Sequence, residues 1–239
     1  MSRVFPIVAL ALACLGVTAP VSAQDQKTGS APAASPDGRL LEIAGIFHVG
    51  SLSLAARKSF DAVLDAHTGT TIGGGGEVVF RRGPLRGLFA RVDVSRFEES
   101  GQRVFVFEGQ IFDLGIPVTI AITPIELTAG YRFTLTRGGS RGGRARPFPI
   151  VPYAGLGVGA VRYRETASFA QAGDDIDESF TSYHALGGAD VRLWRGLSAG
   201  VEGLYRWAPD ALGTSGVSEA FNETNLNGAT VRVRIRAAF

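Results

Sequence analysis

The chain has 239 residues, 32 of them glycine, is 45% hydrophobic and carries a formal net charge of +2. That composition excludes a disordered chain, the length allows one β domain or two small mixed ones, and the near-neutral balance argues against nucleic acid as a partner. A single cysteine, Cys14, excludes an internal disulfide framework.

The chain begins "MSRVFPIVALALACLGVTAPVSAQDQ", with Arg3, an apolar run to about Val17, and Val21-Ser22-Ala23 before polar sequence. This is the layout of a secretory signal peptide over 1–23, too short in its apolar part to span a bilayer as a helix. "ALAC" partly resembles a lipoprotein box, but Ala11 stands where a larger aliphatic residue is usual. Cleavage after Ala23 removes Arg3 and Cys14, leaving a cysteine-free chain. Residues 24–38, "QDQKTGSAPAASPDG", are polar, rich in Ala, Pro and Ser and without period, as in a flexible leader.

From 39 to 239 the chain divides into eight strand-like pieces, from "LEIAGIFHVG" through "IGGGGEVVFRR", "GLFARVDVSRF", "ITPIELTAGYRFTL", "IVPYAGLGVGAVRYR", "SFTSYHALGGADVRLW" and "LSAGVEGLYRW" to "NGATVRVRIRAAF". Successive side chains of a strand point to opposite faces. In the fourth piece Ile125, Leu127, Ala129 and Tyr131 oppose Glu126, Thr128 and Arg132; in the seventh, Val201 and Tyr205 oppose Glu202 and Arg206. In the last, Val231, Val233 and Ile235 oppose Arg232, Arg234 and Arg236. Short links, "GPLR" and "RG", alternate with links of roughly 12 to 21 residues after the first, third, fifth and seventh pieces. The long "RGGSRGGRARPFP" after the fourth is the exception.

Alternation alone also fits a secreted sandwich or a lipocalin-like barrel with its charged face in water. Three features favour lipid instead. Lysine is nearly absent from the strands, glycines such as Gly155, Gly157, Gly187 and Gly188 recur within them, and aromatics gather near strand ends (Tyr131, Phe133, Tyr153, Tyr163, Tyr183, Trp194, Tyr205, Trp207, Phe239). The expected fold is all-β: an eight-stranded antiparallel up-and-down transmembrane β-barrel.

With its leader, its eight strands and a last strand carrying Val231, Val233 and Ile235 before a terminal Phe239, the chain resembles the OmpA, OmpW and opacity-protein superfamily of outer-membrane barrels. The resemblance covers about 40–239 and rests on pattern more than on motif. It implies a location in the cell outer membrane among lipid and lipopolysaccharide, and a last strand read by the barrel-assembly machinery through Phe239, Ile235, Val233 and Val231. It also implies a monomer with a structural or surface-interaction role and no open pore. OmpW-like binding or passage of small hydrophobic molecules is the alternative, and a lipid-modifying enzyme a third. No peptidoglycan-binding segment is expected after the barrel.

In such a barrel the polar parity lines a lumen. The residues expected there are Glu77, Arg81, Arg91, Asp93, Glu126, Arg132, Asp190, Arg192, Glu202, Arg206, Arg232, Arg234 and Arg236. Eight arginines against five acids imply a positive interior, with opposite charges bracing an interior that side chains fill.

The stretch "RVFVFEGQIFDLGIPVTIAI" is unusually apolar for a surface link. Val104, Phe105, Phe107, Ile111 and Phe112 form either a lid over the mouth with an apolar ligand pocket or, as the β-prone Val104–Phe107 favours, an extension of strands three and four. No catalytic, cofactor or metal site is expected. Ser182 and His184 share a strand face without a third group, and His48 and His67 stand apart in sequence. "AGDDIDES" lacks the spacing of a calcium loop and reads as a solvated acidic loop, "RGGSRGGRAR" as a basic turn, and "GGGGE" as close strand packing with no phosphate-loop lysine.

Overall fold

In a computed structural model the described residues are 40–133, 136–137, 146–147, 150–167, 176–213 and 216–239. The expected leader and signal segment, most of "RGGSRGGRAR" and half of "AGDDIDES" lie outside them.

Eight strands close an antiparallel barrel: β1 (Leu41–Leu54), β2 (Thr68–Phe80), β3 (Leu88–Phe107), β4 (Gln110–Arg132), β7 (Ile150–Ala167), β8 (Ile176–Trp194), β9 (Leu197–Trp207) and β10 (Gly228–Ala238). A two-residue pair, β5 (Thr136–Arg137) with β6 (Arg146–Pro147), lies in the link after β4. Each barrel strand pairs with its neighbour in the chain, and β10 closes on β1 through pairs such as Val49 with Val233. The terminal Phe239 donates its backbone N–H to Ile43 at 2.9 Å.

Outward positions form one continuous apolar band. Phe47, Val49, Val92, Val94, Ile125, Leu127, Leu156, Val158, Val201, Val231, Val233 and Ile235 are all exposed, and the small outward residues among them are Ala, Gly and, beside Val231, Ser51. Such a surface is stable only against hydrocarbon, and closure of the ring leaves no unpaired backbone edge at that level. One rim carries Tyr131 against Phe133 and, further round, Trp194 and Phe239; the other carries Tyr183 beside the Tyr205–Trp207 pair. These are aromatic girdles. Tyr153 and Tyr163 belong to neither: their parity on β7 points them inward, and both are buried.

The connections identify the two ends. Arg81–Gly87 and the Arg195-Gly196 turn lie at one end, which in barrels of this type is periplasmic. At the other end β1 and β2 are joined through helix α1 (Arg57–Leu64), and β9 and β10 through α2 (Gly216–Ala220). The third connection is the strand extension that the β-prone Val104–Phe107 favours, and no lid. β3 and β4 run on as a hairpin beyond the apolar band and turn at Glu108 and Gly109, both at positive φ, the backbone of a tight two-residue turn. The sequence link is apolar because it is strand on both sides of that turn. Phe105 pairs with Phe112 and Phe107 with Gln110, after an irregularity between Gln102 and Val104.

Helix α1 places Phe60, Val63 and Leu64 on one face, and that face turns down into the barrel mouth. Its first turn has no cap from its own N-cap residue, Ala56; Glu223 of the β9–β10 connection accepts hydrogen bonds from the Lys58 and Ser59 amides (3.2 and 2.9 Å) and from the Ser59 hydroxyl (2.6 Å). Two outer connections are thereby tied together.

Candidate functional site: a braced lumen and a capped outer mouth

At the level of the apolar band the lumen is filled by ion pairs. Glu77 accepts from Arg91 (2.9 Å), Arg132 (3.0 Å) and Arg236 (2.8 Å), drawing together strands β2, β3, β4 and β10. Glu202 on β9 accepts from Arg91 (2.6 Å), Arg232 (2.7 Å) and Arg234 (3.3 Å). Asp190 holds Arg234 (2.7 Å) and Arg132, Glu126 holds Arg206 (2.8 Å), and Asp93 holds Arg232 (3.0 Å). The Tyr153 ring lies under the guanidinium groups of Arg234, Arg132 and Arg91, at 4.4, 5.3 and 5.5 Å from its centroid. Buried charges persist only when paired and hydrogen-bonded in this way.

Two of the arginines expected here are elsewhere. Arg81 follows the last residue of β2, lies half-exposed at the rim of the short turns and pairs with Glu42. Arg192 sits beside the β8 irregularity at the same rim and is exposed. Six lumen arginines remain against five lumen carboxylates, with Glu42 reaching Arg236 at 2.6 Å from the rim. The interior is balanced, and the positive surplus inferred from counting is absent.

Histidines complete the packing. His48 Nε2 lies 3.0 Å from Asp93 Oδ1, and His184 Nε2 lies 2.8 Å from the Thr128 hydroxyl. Ser182 and His184 share the inward face of β8, as their spacing implies, but no hydrogen bond joins them and both are fully buried. Such a pair lacks both the geometry and the access that nucleophilic catalysis needs. The inward glycines have a steric reason. A Cβ at Gly157 would come within 2.4 Å of the His184 ring, and one at Gly73 within 2.6 Å of His48. Gly157→Val should therefore destabilise the barrel by about 1–3 kcal/mol, whereas Val158→Ala on the lipid side should change little. Unfolding in urea from lipid vesicles compares the two.

Above the ion pairs the lumen changes character. Leu52, Leu54, Phe60, Phe97, Ile120, Ile122, Val161 and Leu226 form a buried apolar cluster that closes the outer mouth, with Tyr163 at its edge. Over this plug, between α1, the β9–β10 connection and the extended β3, β4, β7 and β8, lies a cavity of about 410 Å³. Of the five residues expected to shape an apolar ligand loop, Val104 lines this cavity; Phe105, Phe107, Ile111 and Phe112 are exposed on the hairpin above it. Its charged lining is Arg103, Glu165 and Glu178. Arg103 is 3.6 Å from Glu165, which also accepts from the Tyr163 hydroxyl (3.3 Å), and burial pushes that phenol's pKa well above its usual range. On the outer side of β8, hydrogen bonds from Arg162 (2.7 and 2.6 Å), with its charge and that of Arg164, hold the Asp177 carboxyl down at about 2. Sequence reading missed this cavity, because its walls come from six separate elements of the chain.

No family model and no curated protein matches the sequence. Among solved structures the fold is similar to that of a major outer membrane protein from Thermus thermophilus, with a TM-score of 0.52 at 12% identity over 84% of this chain and 100% of that one. Neisserial surface protein A (NspA) aligns with a TM-score of 0.47 at 11% identity over 84% and 98%. The N-terminal barrel domain of Pseudomonas aeruginosa OprF gives 0.43 at 10% over 82% and 97%. The closed eight-stranded ring, its apolar band and the Thermus likeness lead to one conclusion: this chain has the fold of an outer-membrane β-barrel.

Proposed function

We propose that the protein is a closed barrel of the cell outer membrane, without pore or catalytic activity, that serves a structural or surface-interaction role through its outer end. The observation that carries this reading is the double closure of the lumen, by arginine–carboxylate pairs across the band and by the apolar plug above them. Eight strands leave room for side chains and little else. Reconstituted into a planar lipid bilayer, the folded protein should give no current above that of the bare membrane; stable conductance steps would overturn the reading.

In this reading the band is surrounded by outer-membrane lipid and lipopolysaccharide, the barrel is a monomer, and Phe239 with Ile235, Val233 and Val231 is the segment taken up by the assembly machinery. Phe239 is largely exposed beyond the end of β10, so its removal costs the folded barrel little packing. Deleting it should lower the heat-modifiable, folded protein recovered from outer membranes several-fold while leaving refolding into detergent unchanged. Equal recovery in membranes would count against the assembly role.

The cavity over the plug favours a second reading, in which small apolar molecules bind at the outer mouth. Its volume falls in the range of small-molecule sites. Passage onward is opposed by the plug beneath, so the reading is one of binding and not of transport.

A further inference from the structure

The chemistry of the cavity lining narrows what it takes. Its floor is apolar, made by Phe60 and Val63 of α1, Ile120 of β4, Ile176 of β8 and Leu212. Its charged groups are two carboxylates and one guanidinium, and the guanidinium of Arg103 lies against Glu165. The second carboxylate, Glu178, is exposed and has no basic side chain within ion-pair distance among the described residues. Its neighbour Asp177 points to the other face of β8 and takes both Arg162 and Arg164.

The surroundings have the same sign. In the described segments beyond the outer edge of the band (55–67, 96–119, 162–167, 176–179, 208–213 and 216–227) twelve acidic residues stand against six basic ones. A charged cleft with apolar walls concentrates ligands of opposite sign. An organic anion would meet repulsion at this mouth, and a neutral molecule would gain nothing from Glu178.

We infer that the outer cavity binds a small organic cation, an apolar or aromatic body carrying an ammonium group, with the body on the Phe60–Ile120–Ile176 floor and the ammonium at Glu178. The inference rests on the reading of the outer mouth as a binding site and adds the charge of the ligand. The site is blind, because the apolar plug separates it from the lumen.

Three probes sharing one body test it: 4-phenylbutylammonium, 4-phenylbutanol and 4-phenylbutyrate, titrated calorimetrically against the full barrel in nanodiscs of zwitterionic phosphatidylcholine, with empty nanodiscs as reference. Saturable binding is expected, with the ammonium at least tenfold tighter than the carboxylate and the gap narrowing at high salt. Glu178→Gln, an exposed change that leaves the heat-modifiable band intact, should bring the ammonium down to the affinity of the alcohol and leave the alcohol unaffected. If no probe binds saturably, the cavity is not a binding site and both readings fall together. Binding of all three with equal affinity, a preference for the carboxylate, or a Glu178→Gln barrel with undiminished ammonium preference would overturn the cation inference and leave the binding site standing.

Discussion

Glu202→Gln should destabilise the barrel by about 3–5 kcal/mol, the cost of removing one buried carboxylate from a shared set of ion pairs and leaving its positive charge in excess. Glu202 is wholly buried and serves Arg91, Arg232 and Arg234 from three directions. Glutamine keeps the shape but removes the charge that three guanidinium groups share. Arg232 retains Asp93 and Arg234 retains Asp190, so the ring should loosen around β9 first. Urea unfolding in lipid vesicles measures the loss. A second variant separates charge from packing: combining Glu202→Gln with Arg232→Met removes one positive charge from the set that Glu202 balances and should recover part of the stability. A loss below about 1 kcal/mol for the single variant would mean that the lumen is wet enough to screen its charges.

Val233→Arg tests the other face. Val233 lies midway along the outward row of β10, paired with Val49 on one side and Val201 on the other, all three exposed. Against lipid, an arginine at this depth costs about 2–4 kcal/mol, and the cost falls toward the rims. Folding yield in vesicles should drop accordingly, while an arginine further out on the same face of β3 as Arg96, for example Ser100→Arg, should be tolerated. In a soluble barrel with a water-facing exterior, Val233→Arg would be neutral or favourable. The two variants together ask which solvent each face sees, since Glu202 and Val233 lie on adjacent strands and opposite sides of one sheet.

Much of this was legible in the chain. Alternation is a local property of a strand, so the lipid and lumen sets of β4, β9 and β10 could be read residue by residue, as could the inward placement of His184. What escaped reading depends on more than one strand. Arg81 and Arg192 share the lumen parity, yet each stands where its strand ends, and strand ends are set by neighbours. The apolar run from Val104 to Ile111 left both a lid and extended strand open in the sequence, with its β-prone residues favouring the strand that is found. Tyr153 and Tyr163 look like girdle aromatics until the register of β7 turns them inward. Partnerships were the least legible of all: Arg91 and Glu202 are 111 positions apart, and only closure of the ring brings them together.

The sharing of each carboxylate among several guanidinium groups has a consequence for how such a chain can drift over generations. On the lipid side Val, Ile, Leu and Ala exchange one at a time at little cost, so those positions can lose all likeness to an ancestor. Inside, replacing one shared carboxylate breaks two or three pairs at once, and change is confined to coordinated sets. Kinship between barrels of this kind should therefore be sought in the lumen residues and the inward glycines that make room for them, where history is preserved, and not in the far more numerous residues that touch the membrane.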